Sequence, residues 1–230
     1  WSECNDTFNT STLESAGDIT SLTVTRYDDT QLNLRWVKAN DDDDVVVLRK
    51  TSGYPAGQTD GIEVYNGSLL SYKDTGLDAA TRYYYRAWAW NGEEFGAGSA
   101  SNYNITRPQP PQSFIGNLDG TNLLITWTKG TNATYTLIRN NTGSYPSLST
   151  GYFVYNDTGV SKTVSGVSSI DYYTGWSYVN KYGEHLYSLP NNLLWGGLEI
   201  NVYKEDEPWI AIGNYTVFIT NADATESYQN

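Results

Sequence analysis

The 230-residue chain holds one cysteine, one histidine and no methionine. The single thiol, Cys4, cannot form a disulfide within the chain, so no disulfide framework holds the fold together. A Ser-His-Asp or Cys-His catalytic arrangement would have to use His185, and no Cys/His cluster has zinc-ligand spacing. No run of about 18 apolar residues occurs, so no membrane-inserting helix is expected. Positive charge is scarce: 14 Lys+Arg stand against 26 Asp+Glu, a formal net charge of −12. Nucleic acid and anionic lipid both call for clustered positive charge, so neither is an expected partner. Phosphate-cradling Gly-rich loops followed by Lys are missing too, and no cofactor or metal is expected. Lacking an initiator methionine, the chain from Trp1 reads as a processed protein or a fragment of a longer one.

What is present points to an all-β fold. Tyr 20 and Trp 8, with many Thr and Val, suit strands, while Gly 21 suits turns. Short alternating runs such as Leu32-Leu34-Trp36 and Tyr83-Tyr85-Ala87-Ala89 recur between turn signals. An internal repeat runs through them. Leu32-Asn33-Leu34-Arg35-Trp36 returns as Leu123-Leu124-Ile125-Thr126-Trp127, 91 residues on. Gly53-Tyr54-Pro55 returns as Ser144-Tyr145-Pro146, and Gly61 to Asn66 returns as Gly151 to Asn156 at an offset of 90. A period near 90 residues is the size of one β-sandwich.

These residues resemble fibronectin type III domains. A Trp stands in the second strand of each copy (Trp36, Trp127), and Leu77-X-Ala79-X-Thr81-X-Tyr83 looks like the family's tyrosine corner, with Ala79 where Pro is usual. The resemblance implies two tandem sandwiches: 18–107 and 112–197, joined by a stiff Pro-rich linker at 108–111. Residues 1–17 read as an extended arm and 198–230 as a partial third β unit, with strands around Leu198-Ile200-Val202 and Tyr215-Val217-Ile219.

Eight Asn-X-Ser/Thr sequons occur, at Asn5, Asn9, Asn66, Asn104, Asn132, Asn140, Asn156 and Asn214. With 21 Asn and 46 Ser+Thr, chance placement gives about four. The excess, in a chain with no disulfide, points to an exported protein bearing N-linked glycans. The run Asp41-Asp42-Asp43-Asp44 lacks the spacing of a calcium loop and reads as a solvated turn, as His185 reads as an exposed hairpin residue. With Tyr83, Tyr85, Ala87 and Ala89 facing inward, Tyr84, Arg86, Trp88 and Trp90 share the other face of their strand. That stripe is either a surface ladder that stiffens the sheet, a protein contact, or a sugar-stacking platform. The expected function is an extracellular or cell-surface structural or adhesive role, self-assembling through the terminal segments. A carbohydrate- or receptor-binding module is the alternative.

Overall fold

The structure, a computed structural model, describes residues 14–41, 43–167 and 170–195 in full, and 197–203 and 211–218 as backbone. Every regular element among them is a strand. The chain divides into two compact units, the second beginning in the main at Arg107 and also taking in the short loops 28–30 and 78–80.

The first unit carries β1 (Ile19–Arg26), β2 (Leu32–Lys38), β3 (Asp44–Lys50), β4 (Ile62–Gly67), β5 (Ser71–Asp74), β6 (Arg82–Trp90) and β7 (Phe95–Ile105). They form two antiparallel sheets, β1-β2-β5 and β4-β3-β6-β7. The second unit carries β8 (Gln112–Asp119), β9 (Asn122–Thr128), β10 (Tyr135–Asn141), β11 (Tyr152–Asp157), β12 (Ser161–Val164), β13 (Asp171–Lys181), β14 (Glu184–Tyr187) and β15 (Asn191–Trp195). Its sheets are β12-β9-β8 and β11-β10-β13, with β14 and β15 both on the far side of β13. The two copies thus share one strand order, and β14 with β15 does the work of the single long β7. The break between them falls at Leu189-Pro190, where proline has no N–H to give to the ladder. A separate antiparallel pair, β16 (Gly197–Tyr203) with β17 (Ala211–Phe218), follows. Its second strand begins earlier than the sequence pattern suggests, at Ala211, and Ile219 lies outside the described residues.

Each core is built by period-two alternation. Leu32, Leu34 and Trp36 of β2 face Val45 and Val47 of β3 and Tyr83, Tyr85, Ala87 and Ala89 of β6. In the second copy Leu123, Ile125 and Trp127 face Ile138, Tyr173, Leu193 and Trp195. In both copies the strand-two Trp packs on a Tyr that also caps the next turn. Trp36 meets Tyr65 at 5.0 Å and Trp127 meets Tyr155 at 5.1 Å, centroid to centroid. The Leu69 N–H donates to the Tyr65 hydroxyl at 2.6 Å, and the Gly159 N–H to that of Tyr155 at 2.7 Å. One difference separates the pairs. The Trp36 indole N–H donates to Leu69 O at 3.0 Å, whereas the buried Trp127 indole N–H finds no acceptor among the described residues.

A polar pin joins the two sheets of the first sandwich. Arg49 of β3 donates to both Asp74 oxygens on β5 at 2.7 and 2.8 Å, and the Tyr85 hydroxyl of β6 donates to Asp74 Oδ2 at 2.7 Å. Pairing and hydrogen bonding together let this carboxylate stay buried. The sequence reading placed Tyr85 inside but missed its partners.

Two further expectations need correction. Asp43 is not a solvated turn residue: it is buried, and its carboxylate accepts from the Gly17 N–H at 2.6 Å. Lys38 Nζ donates to the Asp41 and Asp43 carbonyls at 2.7 Å each, so the acidic turn folds around a cation. The described end of the arm, 14–17, likewise belongs to the first sandwich. Asn91 Nδ2 donates to Glu14 O at 2.9 Å, and a Cβ at Gly96 would collide with Gly17 O, so β7 admits only glycine there. His185 is exposed, as expected, just beyond a two-residue turn whose Tyr182 (φ 56°) and Gly183 (φ 83°) match a type I′ hairpin.

Two stability measurements test this description. Trp36→Phe should destabilise its sandwich by about 1 kcal/mol more than Trp127→Phe destabilises its own in urea, because only the former loses a hydrogen bond. Equal losses would contradict the difference in pairing. Burial, and then the neighbouring Asp74 carboxylate, push the Tyr85 phenol far above its ordinary value of 10.0. The folded state therefore holds this proton more tightly than the unfolded chain. The stabilisation is full below about pH 10 and is lost as pH rises beyond it, because the unfolded phenol ionises first. In an alkaline titration Tyr85 should ionise only with unfolding, and Tyr85→Phe should flatten the alkaline loss. Ionisation of Tyr85 while the sandwich stays folded would refute the pin.

Candidate functional site

The outward faces of the larger sheet of each sandwich, four-stranded in the first and five-stranded in the second, are as distinctive as the cores. On β3, Val45 and Val47 point inward while Val46 and Leu48 point out and meet Trp88. Trp88 is 4% exposed although it stands on an outer face. Its cover is local: Val46, Leu48, Trp90 and Phe95 surround it, and the Arg86 guanidinium lies 5.2 Å from its ring centroid. Arg86 is held in place by Nε donating to Ser99 Oγ at 2.8 Å and Nη1 to Pro55 O at 3.2 Å. Tyr84 sits between Tyr54 (5.1 Å) and Tyr103 (5.6 Å), and Trp90 lies against Phe95 at 4.6 Å. The structure thus brings Tyr84, Arg86, Trp88 and Trp90 into one stripe whose members are engaged with their neighbours, with Trp88 buried and the other three half-buried.

The second copy has its own stripe, which sequence reasoning missed. Leu137, Trp176 and Tyr178 pack together with Tyr135 and Tyr187. Tyr135 stacks on Tyr178 at 4.9 Å and 18°, Tyr187 lies 5.0 Å from Tyr178 on the other side, and exposed His185 lies near both. Burial pushes the Tyr178 phenol upward from its ordinary value. A signal was available: Trp176-X-Tyr178 is the counterpart of Trp88-X-Trp90. Strand register shows why it was hidden. Asn140 pairs with Tyr173 as Arg49 pairs with Tyr85, an offset of 88 where the rest of the repeat runs at 90 to 91, so two residues are missing before β13.

The sequons separate by place. Asn66 on β4 and Asn156 on β11 are exposed, as are Ser68 and Thr158 two residues on. Each lies in the same row of its sheet: Asn66 pairs with Val46 and Val46 with Trp88, while Asn156 pairs with Leu137 and Leu137 with Trp176. Tyr178 donates from its hydroxyl to Asn156 Oδ1 at 2.7 Å, which fixes the amide. Asn104 is different. Its Nδ2 donates to Val24 O at 2.7 Å, its Oδ1 accepts from the Ile105 N–H, and its sequon partner Thr106 is fully buried. Asn140 is half-buried on β10, directly opposite the buried Tyr173 of β13. Asn132 is exposed in a left-handed turn (φ 57°), with Nδ2 donating to a backbone carbonyl at 2.7 Å. Asn5 and Asn9 lie outside the described residues, and of Asn214 only the backbone on β17 is described. Among the described residues no group of three or more His, Cys, Asp or Glu converges in a way that could hold a metal ion.

Replacing Trp88 separates the readings of the first stripe. Trp88→Ala should lower the stability of its sandwich by about 3–5 kcal/mol, the cost of emptying a packed aromatic site. A loss near zero, together with loss of assembly or binding, would make the ring a contact residue.

No protein-family model and no curated protein matches the chain. Several solved structures resemble it. A two-domain fibronectin type III segment from chicken tenascin is 18% identical, covers 78% of this chain and 98% of its own, and has a TM-score of 0.47. The fibronectin type III domain of human fibronectin type III domain containing protein 3 is 19% identical, covers 40% and 84%, and has a TM-score of 0.32. The central fibronectin III array of RIM-binding protein is 16% identical, covers 76% and 59%, and also has a TM-score of 0.32. By its strand order and sheet pairing, the chain is an all-β protein of two tandem two-sheet sandwiches that share one strand order, followed by a short antiparallel strand pair.

Proposed function

We propose that the chain is an extracellular, N-glycosylated structural or adhesive protein that self-assembles through its terminal segments into a surface filament, sheath or layer. Sandwiches of this type are commonly adhesive or structural modules. The observation that carries the reading is repetition: two copies of one sandwich each present an exposed sequon at the same register position of the same edge strand. In this role the stiff β units hold distance, glycans shield the surface, and the ends form the joints. The pair β16–β17 forms its own two-stranded sheet, and such edges accept a further strand from a second copy. The Tyr135–Tyr178–Tyr187 stack beside exposed His185 favours a second reading, a carbohydrate- or receptor-binding module.

Electron microscopy of natively secreted material discriminates between them. Regular filaments or sheets are expected, and isolated particles would favour the binding module. Removing residues 1–13, which spares the sandwich contacts of Glu14 and Gly17, should abolish assembly while leaving the melting temperature unchanged. Assembly that persists would move the joint to residues 198–230.

A further inference from the structure

We propose that Asn66 and Asn156 are the glycan-bearing positions of the two sandwiches, while Asn104 and Asn140 are structural amides that carry none. The inference rests on the reading of the chain as an exported glycoprotein and goes beyond it by assigning the sites. In N-glycosylation the Asn Nδ2 attacks the anomeric carbon of a lipid-phosphate-linked oligosaccharide. A C1–Nδ2 bond forms, the C1–O bond to phosphate breaks with its electron pair on the phosphate oxygen, and one Nδ2 proton leaves to solvent. The acceptor thus needs an uncommitted, accessible Nδ2 and an accessible hydroxyl two residues on.

Asn66 meets both conditions: it is exposed, Ser68 is exposed, and no hydrogen bond holds its amide among the described residues. Asn156 meets them in another way. Its oxygen is the atom held, by Tyr178, and Thr158 is exposed. Asn104 fails on both, because Nδ2 is spent on Val24 O and Thr106 is fully buried, donating to Thr81 O and accepting from the Thr81 N–H. Asn140 fails on the first: it is half-buried on β10, between β11 and β13, on the same face as the core residue Ile138 and directly opposite the buried Tyr173. Asn66 and Asn156 both stand on the outermost strand of the larger sheet of their sandwich, β4 and β11, where a sugar also obstructs pairing with a foreign strand.

Glycopeptide mass mapping of the natively secreted full-length chain tests the assignment. Sugar is expected on the Asn66 and Asn156 peptides in most molecules, with the Asn104 and Asn140 peptides bare. Comparable occupancy at Asn104 or Asn140, or bare Asn66 and Asn156 in a protein glycosylated elsewhere, overturns the assignment and leaves the glycoprotein reading standing. An intact mass equal to the 25.6 kDa polypeptide overturns both. A glycan-free readout comes from the chain made in bacteria. Asn104→Asp should lower its melting temperature by about 4–8 °C while Asn66→Asp leaves it unchanged. Equal shifts would overturn the division into structural and acceptor asparagines.

Discussion

Side chains alternate between the two faces of a strand, and this constraint organises nearly everything else in the molecule, because in both sandwiches the larger sheet is apolar on both faces. The inner face makes the core with Trp36, Tyr85 and their counterparts, and the outer face buries Trp88 and Trp176 under their own neighbours. With both faces committed, a one-residue slip of β3 or β6 would exchange two incompatible sets of side chains, so the register is held from both sides. The same alternation fixes what lies beside the core on β4 and β11. Tyr65 and Tyr155 turn inward onto tryptophan, and the next residue, Asn66 or Asn156, is therefore forced outward.

Differences between the copies show which interactions the fold requires and which it can exchange. The pin that joins the sheets in the first sandwich uses Arg49 and Asp74, at positions taken in the second by Asn140 and Val164. Both charges are replaced together, as electrostatics demands, since either alone would leave a buried ion without a partner. Asn140 then stands opposite Tyr173, whose proton goes to Asp171 on its own strand, so this contact stays within one sheet. The same residue heads a sequon, because Asn141-Thr142 follow it. The Trp36–Tyr65 contact and its turn cap, by contrast, recur as Trp127–Tyr155, with only the indole hydrogen bond of Trp36 lost.

Much of this was legible in the sequence because period-two patterning and a repeat near 90 residues are local or linear signals. The inward set of β6, its outward stripe and the two sandwiches followed from them. Three things did not follow. The burial of Asp43 depends on Gly17, 26 residues away, and no local pattern announces a buried carboxylate that finds a backbone N–H. The partners of Tyr85 come from β3 and β5, brought together only by the packing of two sheets. The second aromatic stripe was masked by a two-residue change in repeat length ahead of β13, which breaks a linear alignment without disturbing strand register. In each case the missing information is tertiary contact, not propensity.

Asparagine also performs opposite tasks at the two seams of each sandwich. Along one seam β1 and β7 belong to different sheets, and backbone ladders cannot close the gap. Asn102 and Asn104 close it by donating from Nδ2 to Leu22 O and Val24 O, an alternating pair that imitates a ladder with side chains. Asn191 does the same in the second sandwich, donating to Pro111 O. The other seam, where β4 faces β5 and β11 faces β12, ends in free strand edges, and there the asparagines point outward into solvent. A free edge needs some obstacle to strand addition, and charge is one that this chain uses sparingly on β4 and β11, with Glu63 and Asp157 alone. Bulky sugar on Asn66 and Asn156 would supply the obstacle those strands otherwise lack. It would also direct assembly to the chain ends, since a subunit that polymerises through added strands must keep its internal edges closed.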